Sequence, residues 1–276
     1  MSTSGRGVYG FRLEGVDAAY PLLVPAASDW PLLRLRARLG FDSATPDRLD
    51  SDHCQLRLRS GGVAEVDWPS GNVLFTLRRR AAPADLIHPN LLPVAALGSR
   101  RNGRESFRAG AVLLGDGAWA VIGARGAGKS SLLAWLALGG YSVLTDDLLV
   151  VDERRRALAG PRMIDLREAA ARRLGVGEPV PDGHEQRYRM LVGGVLPAVP
   201  LRGFIRLAWG DVPTVVKVPP AWRPAALASS RAVRLSPRDL RVLHELSALP
   251  MVELRRPREW GATADAADRL LGALAG

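Results

Sequence analysis

Residues 121–131 read VIGARGAGKSS, and 145–152 follow as TDDLLVVD. The first stretch satisfies G-x-x-x-x-G-K-[ST] in full, from Gly123 through Ala124, Arg125, Gly126, Ala127 and Gly128 to Lys129 and Ser130, with Ser131 behind. Apolar WAVI (119–122) enters it as a strand. SSLLAWLALGG (130–140) leaves it as a helix stopped at Gly139 and Gly140. Glycines here permit positive φ and carry no side chain, so successive backbone amides can converge on phosphate oxygens. The helix start adds the positive end of its dipole. Lys129 supplies a compact ammonium for β- and γ-phosphates, and Ser130 a hydroxyl for Mg²⁺. The chain has 38 basic residues and two of them are lysines, so a lysine inside the glycine loop of so arginine-rich a chain points to a demand for its shape. The expected ligands are ATP and Mg²⁺.

The paired Asp146 and Asp147 follow a short strand, YSVLT. That strand is expected to lie beside the loop strand and to deliver both carboxylates near the γ-phosphate. Neighbouring residues at a strand end point in different directions, so one can hold Mg²⁺ while the other faces an incoming hydroxyl. Asp152 competes, because LLVVD has the Walker B form. A strand over 148–152 runs away from the loop, which favours the pair.

Outward from this unit, the N-terminal third reads as strands. LLRLRARLG (32–40) alternates Leu33, Leu35, Ala37 and Leu39 with arginines. CQLRLRSGGVAEVDWPSGNVLFTLRRR (54–80) alternates in three runs separated by turn residues, an antiparallel meander. Residues 84–98 read as a proline-interrupted helix ending at Gly98, with SRRNGRES as a connector. The expected organisation is a β-rich N-terminal domain over 1–95 and a P-loop nucleotide-binding domain over 96–276, the boundary falling within 81–105. In the second part a hairpin is expected over 109–123 and short helices over 165–174 and 236–246, the latter with Ser236 and Pro237 at its start. A strand is expected over 201–209, and ADAADRLLGALAG closes the chain as a helix.

Composition narrows the class. The 276 residues are 47% hydrophobic and 24% charged, as in ordinary globular proteins. No run of 18 apolar residues and no secretory start is visible, and the lone Cys54 fits a reducing compartment, so a cytoplasmic location is expected. The net charge of +10 comes from arginines in small scattered groups. No RNP box, zinc spacing or helix-turn-helix accompanies them, so a specific nucleic-acid partner is not expected. His53, His88, His184 and His244 show no metal spacing and read as surface or packed residues. Arg162, Arg187 and Arg189 are candidates to clamp phosphate or acceptor, with nothing in the sequence to choose among them. Trp135 and Trp209 read as core.

The stretch AVLLGDGAWAVIGARGAGKSSLLAWLALGGYSVLTDDLLVVD (111–152) resembles the core of the HPr serine kinase/phosphorylase group. There a phosphate loop is followed by GY-x-[LV]-[LV]-x-DD at this spacing. The likeness extends to smaller bacterial kinase-like members, including those encoded beside lasso-peptide genes. They share a β-rich N-terminal region, a PLRG strand and a terminal P…L.RP segment, here PLRGFIRLAW (200–209) and PMVELRRPREW (250–260). The resemblance is specific over about 40 residues and looser over most of the chain. It implies a mixed-sheet α/β fold of the kind shared with phosphoenolpyruvate carboxykinases, and ATP-dependent transfer to a serine or threonine hydroxyl of a peptide or small protein. It further implies that Asp146 acts on the attacking hydroxyl while Asp147 and Ser130 support Mg²⁺; self-association is left open.

Two departures stand out. Arg108, in FRAGAV, occupies the position of a usual histidine 15 residues before the first loop glycine; an arginine there can bind phosphate or lower the pKa of Asp146. GPRMIDLRE (160–168) replaces a GLGI-type signature, which argues against the reverse reaction and against HPr as substrate. The alternative reading is an ATP-binding regulatory or accessory protein that uses the same loop without phosphotransfer.

Overall fold

The computed structural model describes residues 5–40, 47–182, 185–235 and 240–275. The first third contributes β1 (Arg6–Val8), β2 (Phe11–Glu14), β3 (Val24–Pro25), β4 (Leu32–Leu39), β5 (Arg48–Leu49), β6 (His53–Leu58), β7 (Gly62–Asp67) and β8 (Asn72–Leu77). They form one sheet in the order β3-β1-β2-β4-β8-β7-β6-β5. Alternate residues of β6 and β8 (Cys54, Leu56, Leu58; Val73, Phe75, Leu77) are buried, as a pleated strand with one covered face requires. The meander of β6, β7 and β8 is antiparallel. The sheet as a whole is mixed, because β4 pairs in parallel with both β2 and β8. β2 covers β4 only as far as Arg34. Beyond that point the alternation loses its meaning: Leu33 and Leu35 are buried, whereas Leu39 is 65% exposed.

The proline-rich segment forms α1 (Pro83–Asp85), a wide turn over Leu86–Asn90, and α2 (Leu91–Arg101). The expected stop at Gly98 is not used. This glycine sits inside α2 because a Cβ there would lie 2.8 Å from the rings of Phe11 and Trp68, so its role is close packing. The residues expected as a connector therefore belong in part to the helix.

The remaining strands are β9 (Glu105–Phe107), β10 (Gly110–Leu114), β11 (Gly117–Ile122), β12 (Val143–Thr145), β13 (Leu149–Val151), β14 (Arg156–Leu158), β15 (Met163–Arg167), β16 (Glu178–Asp182), β17 (Glu185–Leu191), β18 (Ala198–Trp209), β19 (Thr214–Lys217) and β20 (Met251–Arg256). With them run α3 (Lys129–Leu138), α4 (Glu168–Leu174), α5 (Arg223–Ser230), α6 (Leu240–Ala248) and α7 (Thr263–Ala275). The expected helix over 165–174 starts three residues later, since Asp165, Leu166 and Arg167 pair with β17. The expected cap of α6 at Ser236 and Pro237 lies outside the described residues.

A nine-stranded mixed sheet follows the order β12-β10-β11-β18-β14-β13-β9, with β20 also on β18 and β19 on β20. β15, β17 and β16 make a separate three-stranded sheet. The chain is thus mixed α/β with a β-rich N-terminal region. β11, β18 and β20 run parallel, and their residues are buried in near-continuous runs (Ala120, Val121, Ile122; Phe204, Ile205, Leu207; Met251, Val252, Leu254). Such strands are covered on both faces. Their C-terminal ends share one edge, where open α/β sheets form crevices.

β12 does not lie beside β11. β10 separates them, antiparallel to both, so β10 starts at the edge where β11 and β12 end. The aspartates reach the loop all the same, because Gly110 opens β10 there. A Cβ on Gly110 would lie 2.7 Å from the Asp146 carbonyl oxygen and run into Leu133 of α3. Gly110→Ala is therefore expected to cost about 1–3 kcal/mol of stability through overpacking, checked by urea unfolding against the parent chain.

Three cores fill the structure. The core beneath the eight-stranded sheet also contains Leu148, Val150 and Leu158, so the first sheet packs directly on β13 and β14. Among the described residues no helix is long and apolar enough to cross a membrane.

Candidate functional site

The loop between β11 and α3 is glycine-dependent. Gly126 and Gly128 have φ of 83° and 87°, the left-handed region that side chains avoid. α3 begins at Lys129 and is anchored by Leu132, Leu133 and Leu136, all buried in the core under the sheet. The helix start is thereby held against the strand end. Lys129 folds back over the loop, its Nζ donating to the carbonyls of Gly123 (2.9 Å) and Ala124 (3.2 Å). Burial pulls its pKa down, Asp147 and Asp146 pull it back up, and Arg108 pushes it down again. Asp146, Asp147 and Arg108 thus each act on the Lys129 charge. Ala124, Arg125 and Gly126 form the exposed tip, Ala127 is buried, and Ser131 is half-buried on α3.

The two aspartates occupy different environments. Asp146 is buried. The Asp165 backbone N–H donates to its Oδ2 at 3.2 Å, and the nearby Ser130 side chain draws its pKa down in part. Its Oδ1 is buried without a partner. Burial first, and the neighbouring Asp147 charge second, push its pKa well above the carboxylate range. Asp147 has a side chain 44% exposed, with Oδ2 3.4 Å from His88 Nε2.

Four further side chains complete the cluster: Arg189, one of the three clamp candidates; His88, read from the sequence as surface or packed; and Asp165 and Tyr9, which sequence reasoning did not assign. His88 is buried, and its Nε2 lies 3.4 Å from Asp165 as well as from Asp147. Asp165 accepts two bonds from Arg189, at 2.9 and 2.8 Å. Arg189 Nη2 also donates to the His88 carbonyl at 3.4 Å. Tyr9 is fully buried beside the aspartates; burial, then Asp147 and Asp146, raise its pKa well above the usual phenol value. His88 and Tyr9 come from the N-terminal region. The one sequence signal was Pro89, which breaks the helix and leaves His88 with extended backbone (φ −145°, ψ 124°).

The other candidates separate. Arg189 is committed to Asp165 and Arg187 stands opposite Arg167 in β15. Arg162 has a buried Nε without a partner. Arg108 is exposed, its backbone N–H bound to the Ser230 carbonyl at 2.7 Å. Asp152 accepts from the backbone N–H groups of Arg154 and Arg156 and from the Arg156 guanidinium, which makes it the anchor of a tight turn. Trp135 is half-buried against the core. Trp209 is not core: it lies at the crevice edge under two arginines.

The residues fit a hard cation. The orphaned Oδ1 of Asp146 beside a hydroxyl is an incomplete oxygen donor set. Among the described residues no group of three or more His, Cys, Asp or Glu encloses a metal. A magnesium ion here would take most of its ligands from phosphates and water, its usual habit.

No protein-family model matches the chain, and no curated protein matches it. Among solved structures it is similar to the Hpr(Ser) kinase/phosphatase from Coxiella burnetii, at 10% identity, covering 62% of this chain and 97% of that one with a TM-score of 0.33. So loose a likeness carries no argument; the side chains above do.

Proposed function

We propose that the chain is a Mg²⁺·ATP-dependent kinase that transfers the γ-phosphate to a serine or threonine hydroxyl of a peptide or small protein. The observation that carries this reading is the buried Asp146 carboxylate, whose Oδ1 has no partner and which, with Asp147, acts on the Lys129 ammonium of the loop. Backbone amides of the loop bind the β- and γ-phosphates, and Lys129 leaves its two carbonyls to reach them. Ser130 and Asp146 would hold Mg²⁺, which would supply positive charge to the phosphates. This allocation exchanges the roles expected of the two aspartates, because Asp146 is too enclosed to meet an acceptor.

Asp147, open to solvent, faces the acceptor hydroxyl. As the acceptor oxygen bonds to γ-phosphorus and the bond to the β–γ bridging oxygen breaks, the hydroxyl proton passes to the Asp147 carboxylate and ADP departs. His88 holds that carboxylate in place, and Arg108, an exposed cation, would add positive charge for the γ-phosphate. The test is transfer of label from [γ-³²P]ATP to serine-containing peptides by the full chain. Asp147→Asn is expected to lower the rate about 10²–10⁴-fold with ATP affinity kept within a few-fold. Full labelling by this variant would remove the proposed base.

A second reading, nucleotide-dependent regulation without transfer, is favoured by Arg108, an exposed cation beside Lys129. It predicts ATP binding with no labelled acceptor, and labelling of any serine discards it.

A further inference from the structure

The parallel run of β11, β18 and β20 brings three strand ends to one edge: the loop after Ile122, Trp209, and Arg256. Arg256 is 4% exposed. Among the described residues no carboxylate pairs with it. Its Nε has no hydrogen-bond partner, and Nη2 reaches the Gly128 carbonyl at the long distance of 3.4 Å. The guanidinium lies 5.0 Å from the Trp209 ring centroid, with Arg258 at 5.3 Å over the same ring. Neighbouring arginines are balanced: Arg255 and Arg206 share Glu253 at 2.6 and 2.8 Å.

A guanidinium removed from water without an anion is unfavourable to the fold, since its desolvation has no Coulombic return. Arginine does not escape by losing its proton. The tryptophan face compensates in part. Gly128 allows the close approach, because a Cβ there would collide with Nη2 and sit 3.5 Å from the Trp209 ring. A buried, unbalanced cation therefore presses on the glycine that closes the phosphate-binding turn at the start of α3.

We propose that Arg256, carried on the Trp209 platform, is an anion receptor whose counter-ion is the polyphosphate of a nucleoside di- or triphosphate held in the loop. This rests on the reading of the loop as a nucleotide site. The cation is a liability to the empty protein and an asset to the complex, so its removal acts with opposite signs on the two states.

The test combines calorimetric titration of the full chain with ATP, ADP, pyrophosphate and adenosine, and thermal unfolding with and without ADP. Arg256→Met is expected to leave the nucleotide-free melting temperature unchanged or higher. It should weaken ATP, ADP and pyrophosphate at least about tenfold and leave adenosine unaffected. Arg256→Lys, which keeps the charge, should fall between, and decides if the methionine variant does not fold. ADP affinity within twofold of the parent in a folded variant, with Lys129→Ala still defective, overturns the role of Arg256 alone. Failure of the parent chain to bind any polyphosphate overturns the loop reading with it.

Discussion

Asp146→Asn is expected to abolish labelling of any acceptor while making the nucleotide-free protein more stable. Both effects come from the same atoms. The carboxylate is buried, one oxygen has no partner, and a second carboxylate adjoins it. An amide keeps an acceptor for the Asp165 N–H and removes the ionisable group. An unpaired buried charge costs at least about 1–3 kcal/mol, or about 2–10 °C of melting temperature in a chain of this size, and the amide that replaces it is neutral.

The pH dependence provides the sign. The folded-state pKa of Asp146 is raised by burial, so the native state binds its proton more tightly than the unfolded state does. The carboxylate therefore carries no penalty below the ordinary carboxylate range. It destabilises progressively as pH rises from that range through the raised folded pKa. The melting-temperature gain of Asp146→Asn should vanish in acid and grow towards neutrality, which differential scanning across pH reads directly. A constant gain at every pH would assign the effect to packing. Loss of Mg²⁺-dependent nucleotide affinity in the variant, with Mg²⁺-free affinity retained, would identify Asp146 as the metal-side carboxylate.

The second large effect belongs to Lys129. Its ammonium rests on two loop carbonyls and, among the described residues, is in no ion pair, an arrangement ready to exchange carbonyl oxygens for phosphate oxygens. Truncating one member of a charge-assisted pair typically costs about 2–5 kcal/mol, so Lys129→Ala should weaken ATP about 30- to 5,000-fold. Lys129→Arg should rescue little, because a planar fork does not fold back into a turn of this radius. Titration calorimetry distinguishes these outcomes. ATP binding unchanged in both variants would detach the lysine from the nucleotide.

Local features were readable in the chain and non-local ones were not. The loop, its entering strand and α3 depend on neighbours within a few residues, and glycine spacing with apolar runs encodes them. The proximity of the aspartates to the loop was readable as well, but through a mistaken route: the connecting strand lies one position further out, and Gly110 makes the approach. His88, Asp165, Arg189, Tyr9 and Arg256 are joined to the site by strand pairing and packing between segments far apart in sequence. Periodicity tells which face of a strand is buried and says nothing of which strand lies next to it. Asp165 and Arg189 meet as direct partners across β15 and β17, a match visible only once that register is known. Trp209 looked like core because tryptophan usually is; the parallel alignment of β18 and β20 carries it to the rim instead.

Leu148, Val150 and Leu158 lie in the same core as Phe11, Phe75 and Leu91, and His88 reaches Asp147 from that side. A fragment spanning only the phosphate loop and everything after it would present a bare greasy wall to water and lose the imidazole that stands against Asp147. The two parts, sharing one core, are expected to fold and unfold together.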